Sequence, residues 1–403
     1  MHALVNRVSR RLAGTTATLL LIAPAVLAGC AGPEVPAAAG TINIGMVVSR
    51  TGVYKTVGDD MVNGFQLYLD QHSGKLGGQK IELLIEDEAD GGEIAKTLTE
   101  KLIQRNNIQA LTGVVGGKSV EALAPLLGKH KVPLVGANAR PTTTPDVTWM
   151  WHSSYISTEP GIAMGKYVAA NAGGPVWVVC PDYQGGYDEC NGFVGEFVKA
   201  GGTLANTNGK PDWTPFPQTS NFQPYLTKIL ASNATAVYTF YAGAPAISFV
   251  KQYKEFIGAK LPLFAAGFLT EGTVLAAQGE AAKGIRNSMN YAVDLDNRAN
   301  RTFVADYQAK YKTMPTTFSM ASYDAAAILD KAITAAAAGG KPVTGETINA
   351  ALASVGQIDS PRGPWTFAST THTPIQTWYL REVQHDGGAL TNVMIQELAT
   401  IGG

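Results

Sequence analysis

Apolar and polar positions follow two alternating patterns along the chain. Short apolar runs such as residues 42–48 and 176–180 are typical of buried strands. Residues 59–71 instead carry Met61, Phe65 and Leu69 at helical spacing. Strands that alternate with helices predict right-handed βαβ units and a largely parallel sheet.

This alternation extends over most of the chain. The predicted strands are residues 42–48, 80–86, 110–115, 132–136, 176–180, 234–241 and 262–266. The predicted helices are residues 59–71, 93–105, 119–129, a helix from about Gly192, 246–257, 300–311 and 322–338. Residues 366–367 and 375–383 alternate apolar and polar positions, as half-exposed strands do. This number of strand–helix units is larger than one ordinary sheet contains. We therefore expect an α/β fold of two doubly wound parallel-sheet lobes.

The N-terminal segment has the pattern of an export signal. Arg7, Arg10 and Arg11 precede an apolar stretch over residues 12–27, which is shorter than the about 20 residues of a membrane-spanning helix. The Leu-Ala-Gly-Cys sequence that ends at Cys30 is similar to a bacterial lipobox.

We therefore expect residues 1–29 to be a lipoprotein signal peptide and Cys30 to be lipidated. Residues 30–40 would form a small, flexible tether. The alternative is a plain signal peptide cleaved near Ala28 or Ala31, with Cys30 incidental.

Composition and charge limit the kinds of molecule that the protein is expected to bind. The formal net charge is −1, with lysine and arginine scattered along the chain, so no basic surface indicates nucleic acid. The chain beyond residue 29 is too long for one average domain and suits two. Export permits disulfides, and Cys180 and Cys190 form a plausible pair; two separate buried thiols are the alternative.

A glycine-rich turn at Gly116-Gly117-Lys118-Ser119 resembles a nucleotide-binding loop at first sight. Thr112 stands where a Walker A loop needs glycine, so ATP binding is disfavoured. The turn follows a predicted strand and opens a predicted helix. Such helix N-termini attract carboxylates, so we expect this turn to contact a ligand.

Neither a catalytic group nor a metal site is recognisable. The Glu86-Asp87-Glu88 run is expected to be a solvated strand end, because consecutive carboxylates on an extended segment point to opposite sides. The histidines have no metal-ligand spacing, the sequence has no Gly-x-Ser-x-Gly elbow, and neither Cys180 nor Cys190 has a base nearby in sequence. We expect no cofactor, no metal and no enzymatic activity.

Aromatic residues lie in turns that follow predicted strands. Tyr183 follows the strand at 176–180, and Tyr241 ends the strand at 234–241. Ligands of open α/β sheets lie beyond the carboxyl ends of the strands, where such rings offer flat apolar walls. Ordinary packing beneath loops is the alternative. Arg140 follows another strand and could pair with a carboxylate, or could form a salt bridge at the rim.

Several motifs, each weak alone, occur in a specific order. They are Ser49-Arg50-Thr51-Gly52-Val53-Tyr54, Gly64, Asp87, Gly113, Val132-Pro133-Leu134-Val135, Asp182-Tyr183, Phe249-Val250-Lys251-Gln252-Tyr253 and Ser322-Tyr323-Asp324-Ala325-Ala326. From about residue 41 to the end, their order and spacing resemble the periplasmic Leu/Ile/Val-binding proteins. The resemblance implies the type I solute-binding fold, in which three crossover strands join two lobes.

The resemblance also implies where the lobes divide. The crossovers are expected near residues 153–157, Asn290 and residues 367–371. Lobe 1 would then comprise residues 41–155 and 290–367, and lobe 2 residues 156–289 and 368–403.

Ligand contacts carried over from the family fall on turns of both lobes. They are Tyr54, Gly117, Lys118, Asn138, Ala139 and Arg140 in lobe 1, and Tyr183, Gly185, Tyr241, Phe268 and Glu271 in lobe 2. This chain has Gly117 where the family has serine, and Phe268 nearest the position of an acidic residue that holds an ammonium group. Glu271 is a possible substitute. Phe240-Tyr241-Ala242-Gly243 and Leu295-Asp296-Asn297 resemble the subgroup that takes aromatic and other carboxylates.

The implied function is that of an extracytoplasmic solute-binding lipoprotein of an ABC importer. It would bind a small carboxylate or an amino acid between the lobes and deliver it to a membrane permease. One alternative is a ligand-sensing protein of the same fold, although no signalling segment is recognisable before Gly403. The other is an exported α/β enzyme, which would need a nucleophile–base pair or a metal site.

Overall fold

The computed structural model describes residues 40–89, 91–144 and 146–402. The expected signal peptide, Cys30 and all of the tether except Gly40 lie outside the described residues.

The described chain alternates strands and helices. The strands are β1 Thr41–Val48, β2 Lys75–Leu76, β3 Gln79–Asp87, β4 Ala110–Gly113, β5 Leu134–Gly136, β6 Met150–His152, β7 Val176–Asp182, β8 Asp212–Pro215, β9 Ala236–Thr239, β10 Leu263–Ala266, β11 Arg286–Met289, β12 Thr366–Phe367, β13 Pro374–Asp386 and β14 Ala389–Ile401. The helices are α1 Lys55–Gln71, α2 Gly92–Asn106, α3 Gly117–His130, α4 Glu159–Asn171, α5 Gln184–Lys199, α6 Gln223–Leu230, α7 Gly243–Phe256, α8 Thr273–Gln278, α9 Arg298–Tyr311, α10 Thr317–Ala336 and α11 Gly345–Leu352.

These strands form two sheets. The first has the order β2-β3-β1-β4-β5-β6, and only the β2–β3 pair in it is antiparallel. The second has the order β12-β13-β11-β10-β9-β7-β8, with β14 paired to β13. In each sheet, a strand that comes first in the chain, β1 or β7, lies between two later strands. This confirms the α/β fold with two doubly wound lobes.

The edge of the second sheet is antiparallel. Strands β11, β12 and β14 all pair with β13 in this way. β13 is longer than the predicted strand at 375–383, and β14 was not predicted, because its residues are only partly buried and lack a clear alternation.

The chain passes between the sheets three times. It leaves the first sheet after β6. It returns to the same lobe after β11, where α10 packs on α1, the helix that follows β1. A Cβ atom at Gly64 would lie only 2.0 Å from the carbonyl oxygen of Ser319, so glycine permits this close helix crossing. The chain then rejoins the second sheet at β12. The lobe boundaries at residues 155, 289 and 367 remain proposals.

Two helices, α5 and α10, begin at least five residues earlier than predicted. α5 was expected from about Gly192 but begins at Gln184 after the extended residue Tyr183. Glycines in its first turn have low helix propensity, which conceals the start in the sequence. α10 begins at Thr317 because Thr316 and Ser319 form a capping box.

Within the described ranges, no helix is both long and apolar enough to cross a bilayer.

Candidate functional site

A cavity of about 280 Å³ lies between the two sheets, at the carboxyl ends of their parallel strands. From the first lobe it is lined by Val53, Tyr54, Val115, Gly116, Gly117, Lys118, Asn138, Ala139 and Pro141, and by Ser157 from the crossover. From the second lobe it is lined by Tyr183, Gln184, Gly185, Glu189, Phe216, Pro217, Phe240, Ala242 and Phe268.

The topology explains this position. β1 lies between β3 and β4, and β7 lies between β8 and β9, so the connections on either side of each strand diverge. Crevices for ligands form at such switch points in doubly wound sheets. Here the turns after β1 and β4 face the turns after β7 and β9 across one cavity.

Aromatic rings from both lobes line the cavity. Tyr183 stacks on Phe216 with ring centroids 4.4 Å apart, and Phe240 meets Phe268 edge to face at 5.6 Å. Tyr54 completes the wall from the first lobe, 6.5 Å from Phe216. Flat rings at these spacings suit an apolar, planar ligand body.

Helix N-termini provide positive potential at the cavity. Gly116, Tyr183 and Ala242 line it and are the N-cap residues of α3, α5 and α7, none of which has a side-chain cap. Among the described residues, the backbone N–H groups of Gly117 and Lys118 have no acceptor. Unpaired N–H groups at a helix N-terminus favour an anionic group.

Glu88 corrects the expectation of a solvated strand end. Its side chain is fully buried, and Oε1 accepts hydrogen bonds from the backbone N–H groups of Val115 (2.7 Å) and Gly116 (3.2 Å). It thereby fixes the turn between β4 and α3 from behind. Burial raises the pKa of the Glu88 carboxyl.

Asn138 supplies a side-chain amide to the cavity. Its Nδ2 donates to the carbonyl oxygen of Val115 at 2.8 Å, which joins the turns after β4 and β5. In the part of the chain that is described, its Oδ1 atom is buried and has no partner. Lys118 lies at the same turn with an exposed side chain.

Glu189 is a buried carboxyl in the cavity wall, on the second turn of α5. Its side chain is 1% exposed, and Oε2 has no hydrogen-bond partner among the described residues. Burial, reinforced by the negative charges of Asp188 and Glu159, raises its pKa well above the ordinary value.

Polar contacts join the two lobes at the mouth of the cavity. The Tyr54 hydroxyl donates to the Tyr183 hydroxyl at 3.2 Å. The backbone N–H and Oγ1 of Thr142 donate to the carboxylate of Asp188 at 3.1 and 2.6 Å. The lobes therefore touch each other around the cavity.

Most of the predicted ligand contacts meet at this cavity. Those that line it are Tyr54, Gly117, Lys118, Asn138, Ala139, Tyr183, Gly185 and Phe268. Arg140, Tyr241 and Glu271 do not line the cavity, and the structure gives a reason for each.

Arg140 points away from the cavity. Its backbone pairs with Ile156, so its side chain lies opposite that of Ala139, which faces the cavity. The guanidinium donates from Nη2 to the carbonyl oxygen of Thr371 at 2.7 Å. Arg140 thus holds a crossover segment instead of a ligand.

Tyr241 lies on the other face of the second sheet. Along this strand, Tyr238, Phe240 and Ala242 pack on one side, whereas Tyr241 packs with Phe249 on the other. Its hydroxyl is 2.9 Å from Thr214 Oγ1. Phe240, one residue earlier, takes the position that Tyr241 was expected to hold.

Glu271 is committed to a buried ion pair. Its Oε2 lies 2.8 Å from Nη2 of Arg381, and Oε1 accepts from the backbone N–H of Thr317 at 2.9 Å. Both carboxylate oxygens are therefore used within the protein, and the side chain does not reach the cavity.

Sequence patterns did not predict several other residues that line the cavity. Phe216 follows the short edge strand β8, which was not predicted. Glu189 looks like an ordinary polar residue of a helix, and no pattern distinguishes it. Phe240 could have been found from the period of two along its strand.

Cys180 and Cys190 are joined by a disulfide, with Cα atoms 6.6 Å apart. The bridge connects β7 to α5 and spans the turn that contains Tyr183 and Gly185. It therefore restrains one wall of the cavity.

Comparison with known proteins gives consistent matches. A family model described as periplasmic binding protein matches residues 41–389. The Leu/Ile/Val-binding protein homolog 6 of Brucella melitensis is 28% identical over 370 residues, which cover 89% of this chain and 92% of that protein.

Solved structures agree with the family model. An ABC-transporter solute-binding protein of R. palustris in complex with benzoate has a TM-score of 0.81 and 29% identity, and the match covers 90% of this chain and 98% of that one. A second, in complex with 4-hydroxybenzoate, has a TM-score of 0.81 and 28% identity, with 89% and 97% covered.

Proposed function

The chain belongs to the periplasmic binding protein family, and from this premise we propose that it is an extracytoplasmic solute-binding lipoprotein of an ABC importer, with an aromatic monocarboxylate as its ligand. It would bind this ligand between its lobes and deliver it to a permease in the cytoplasmic membrane. The proteins to which this chain is similar are solute-binding proteins, which favours a binding function over a catalytic one.

One observation carries the choice of ligand: a small aromatic cavity is bordered by helix N-termini. The rings of Tyr183, Phe240 and Phe268 suit a planar apolar body. The unpaired N–H groups of Gly117 and Lys118 suit a carboxylate at its edge. The volume of about 280 Å³ is near the lower end for ligand pockets, roughly 300 Å³, so a small molecule fits.

Binding would act through the position of the lobes. A ligand held by α3 in one lobe and by the rings of the other contacts both lobes only when they are closed. It therefore stabilises the closed form by its differential affinity, and the permease recognises that form.

A hydrophobic amino acid is the second candidate ligand. The name of the B. melitensis relative supports it, and Glu189 is a buried carboxyl that could face an ammonium group. Leucine should therefore be tested beside benzoate.

Uptake of radiolabelled benzoate at low concentration tests the importer role. A strain without the gene should accumulate less benzoate, and the wild-type gene should restore uptake. Phe240→Ala should fail to restore it, because it removes a cavity wall. Phe256→Ala is a control, because Phe256 is an aromatic residue at the end of α7 that does not line the cavity. Undiminished uptake without the gene would contradict the importer role.

The lipid anchor at Cys30 is tested separately. Cys30→Ser should release the protein from the membrane fraction, because acyl chains would supply its membrane affinity. Mass spectrometry of the wild-type protein should detect the lipid adduct. An unmodified Cys30 in membrane-bound protein would contradict the anchor.

A further inference from the structure

The Oε2 atom of Glu189 has no hydrogen-bond partner within the part of the chain that is described. Its side chain is 1% exposed and lines the cavity, and Oε2 is fully buried. A buried polar group that stays unpaired is costly, so such groups usually have a role or a ligand.

The helices around Glu189 hold it firmly. α4 crosses α5 so closely that a Cβ atom at Gly161 would lie 2.1 Å from the carbonyl oxygen of Glu189. A Cβ atom at Gly192, one turn later, would lie 2.5 Å from the carbonyl oxygen of Thr158. The backbone of Glu189 is therefore fixed in position, and its side chain is directed into the cavity wall by the fold.

None of the charged groups that act on Glu189 is a cation. Asp188 and Glu159, both acidic, are the charged groups that act on it, and no described lysine, arginine or histidine lies within ion-pair distance. Arg140 interacts with Glu159 instead. Burial, with the neighbouring carboxyls of Asp188 and Glu159, raises the pKa of Glu189 well above its ordinary value, which favours the protonated carboxyl, a group that can both donate and accept a hydrogen bond.

Nearby hydroxyl groups do not satisfy it either. Tyr155 and Tyr238 are buried close to Glu189, and their hydroxyls also lack partners among the described residues. Glu189 therefore lines the cavity from lobe 2, whereas the α3 N-terminus that suits a carboxylate belongs to lobe 1.

We propose that Glu189 recognises a ring hydroxyl of the ligand, so that the cavity selects hydroxylated aromatic carboxylates over unsubstituted ones. This inference rests on the proposed function. The ligand carboxylate lies at α3, its ring lies against Phe240 and Phe268, and its hydroxyl exchanges hydrogen bonds with the Glu189 carboxyl. A neutral carboxyl matches a hydroxyl, which also donates and accepts, better than it matches an ammonium group.

Calorimetric titration at pH 7 with benzoate, its three hydroxy isomers and leucine tests this proposal. At least one hydroxybenzoate should bind about tenfold more tightly than benzoate, the effect of one good hydrogen bond in a buried site. Glu189→Leu should abolish that ratio, because the leucine side chain neither donates nor accepts a hydrogen bond. Glu189→Gln should keep the ratio, because an amide also donates and accepts.

Glu196→Gln is the matched control, a carboxyl on the same helix that pairs with Lys166 and Lys199 and does not line the cavity. It should leave the ratio unchanged. The ratio measured on the wild-type protein needs no variant to fold, and circular dichroism and melting curves check each variant.

Several results would overturn the assignment. They are equal affinity for benzoate and all hydroxy isomers, a preference that survives Glu189→Leu, loss of preference in Glu189→Gln, and tight leucine binding that is lost in Glu189→Leu. If the wild-type protein binds none of the aromatic carboxylates, the proposed function itself fails, which is a separate result.

Discussion

The hydroxyl of Tyr54 in the first lobe donates a hydrogen bond to the hydroxyl of Tyr183 in the second, at 3.2 Å. Both rings also line the cavity. The same pair therefore joins the lobes and borders the ligand site, so ligand binding and closure of the cleft are coupled. A ligand that packs against either ring stabilises the contact between them.

Tyr183→Phe should weaken ligand binding about three- to tenfold, because it keeps the ring but removes one hydrogen bond worth about 1 kcal/mol. Calorimetry with benzoate measures the change. Tyr187→Phe on the same helix is the control: the Tyr187 hydroxyl bonds Asp182 outside the cavity, and affinity should stay unchanged. Equal affinities for all of these proteins would show that the Tyr54–Tyr183 contact does not contribute to closure.

Asp188→Asn should also shift the lobes towards an open form. The Asp188 carboxylate accepts two hydrogen bonds from Thr142 of the other lobe, and bonds to a charged group are worth about 1.5–3 kcal/mol. We expect at least tenfold weaker binding and a larger radius of gyration by solution X-ray scattering. Glu196→Gln, on the same helix and away from Thr142, is the control. An unchanged radius together with unchanged affinity would refute the role of this contact.

Removal of the Cys180–Cys190 disulfide should lower stability more than it lowers affinity. By the chain-entropy estimate, a bridge that closes so short a loop stabilises by roughly 2–3 kcal/mol. The double Cys180→Ala, Cys190→Ala variant should therefore melt at a lower temperature, with reduced wild-type protein as its comparison. Identical melting temperatures with and without the bridge would contradict this prediction.

Asp60 should make stability fall as the pH rises. Its Oδ2 accepts a 3.0 Å hydrogen bond from Thr316, and burial, with smaller contributions from Glu271 and Asp59, raises its pKa to about 7. Between the unfolded value of 3.8 and about 7, the native state binds more protons than the unfolded state. The contribution of Asp60 is therefore fully present below about pH 4 and is lost as the pH rises to 7.

Asp60→Asn should remove that part of the pH dependence. We expect its melting temperature at pH 8 to exceed that of the wild-type protein by on the order of 2–4 °C. Melting curves at pH 5 and pH 8 provide the test, with Asp59→Asn, one residue earlier on α1, as the control. A fall with pH that is the same in Asp60→Asn as in the wild-type protein would contradict the assignment.

The sequence predicts the fold well because periodicity is local. The alternation of apolar runs identifies the central strands β1 and β7, and the turns that follow them lead to Tyr54 and Tyr183. Glycine-rich helix starts are harder to predict: α5 begins at Gln184 although Gly185 and Gly186 disfavour helix, because tertiary packing overrides propensity.

Side-chain direction limits prediction of the site. Tyr241 and Phe240 are adjacent aromatic residues, and only the register of the strand decides that Phe240 faces the cavity. Arg140 and Glu271 carry charges suited to ligands, yet distant partners at Thr371 and Arg381 take them. Such pairings join residues far apart in the chain and leave no local pattern.

Calorimetric titration of benzoate and leucine into one preparation, unfolded and refolded to remove bound ligand, tests the central claim most directly. The claim is that the cavity between the lobes binds an aromatic monocarboxylate, with its ring against Phe240 and its carboxylate at the N-terminus of α3. Benzoate should bind at one site per chain, more tightly than leucine, and Phe240→Ala should remove this binding. Saturable leucine binding with no heat from benzoate or the hydroxybenzoates would contradict the claim.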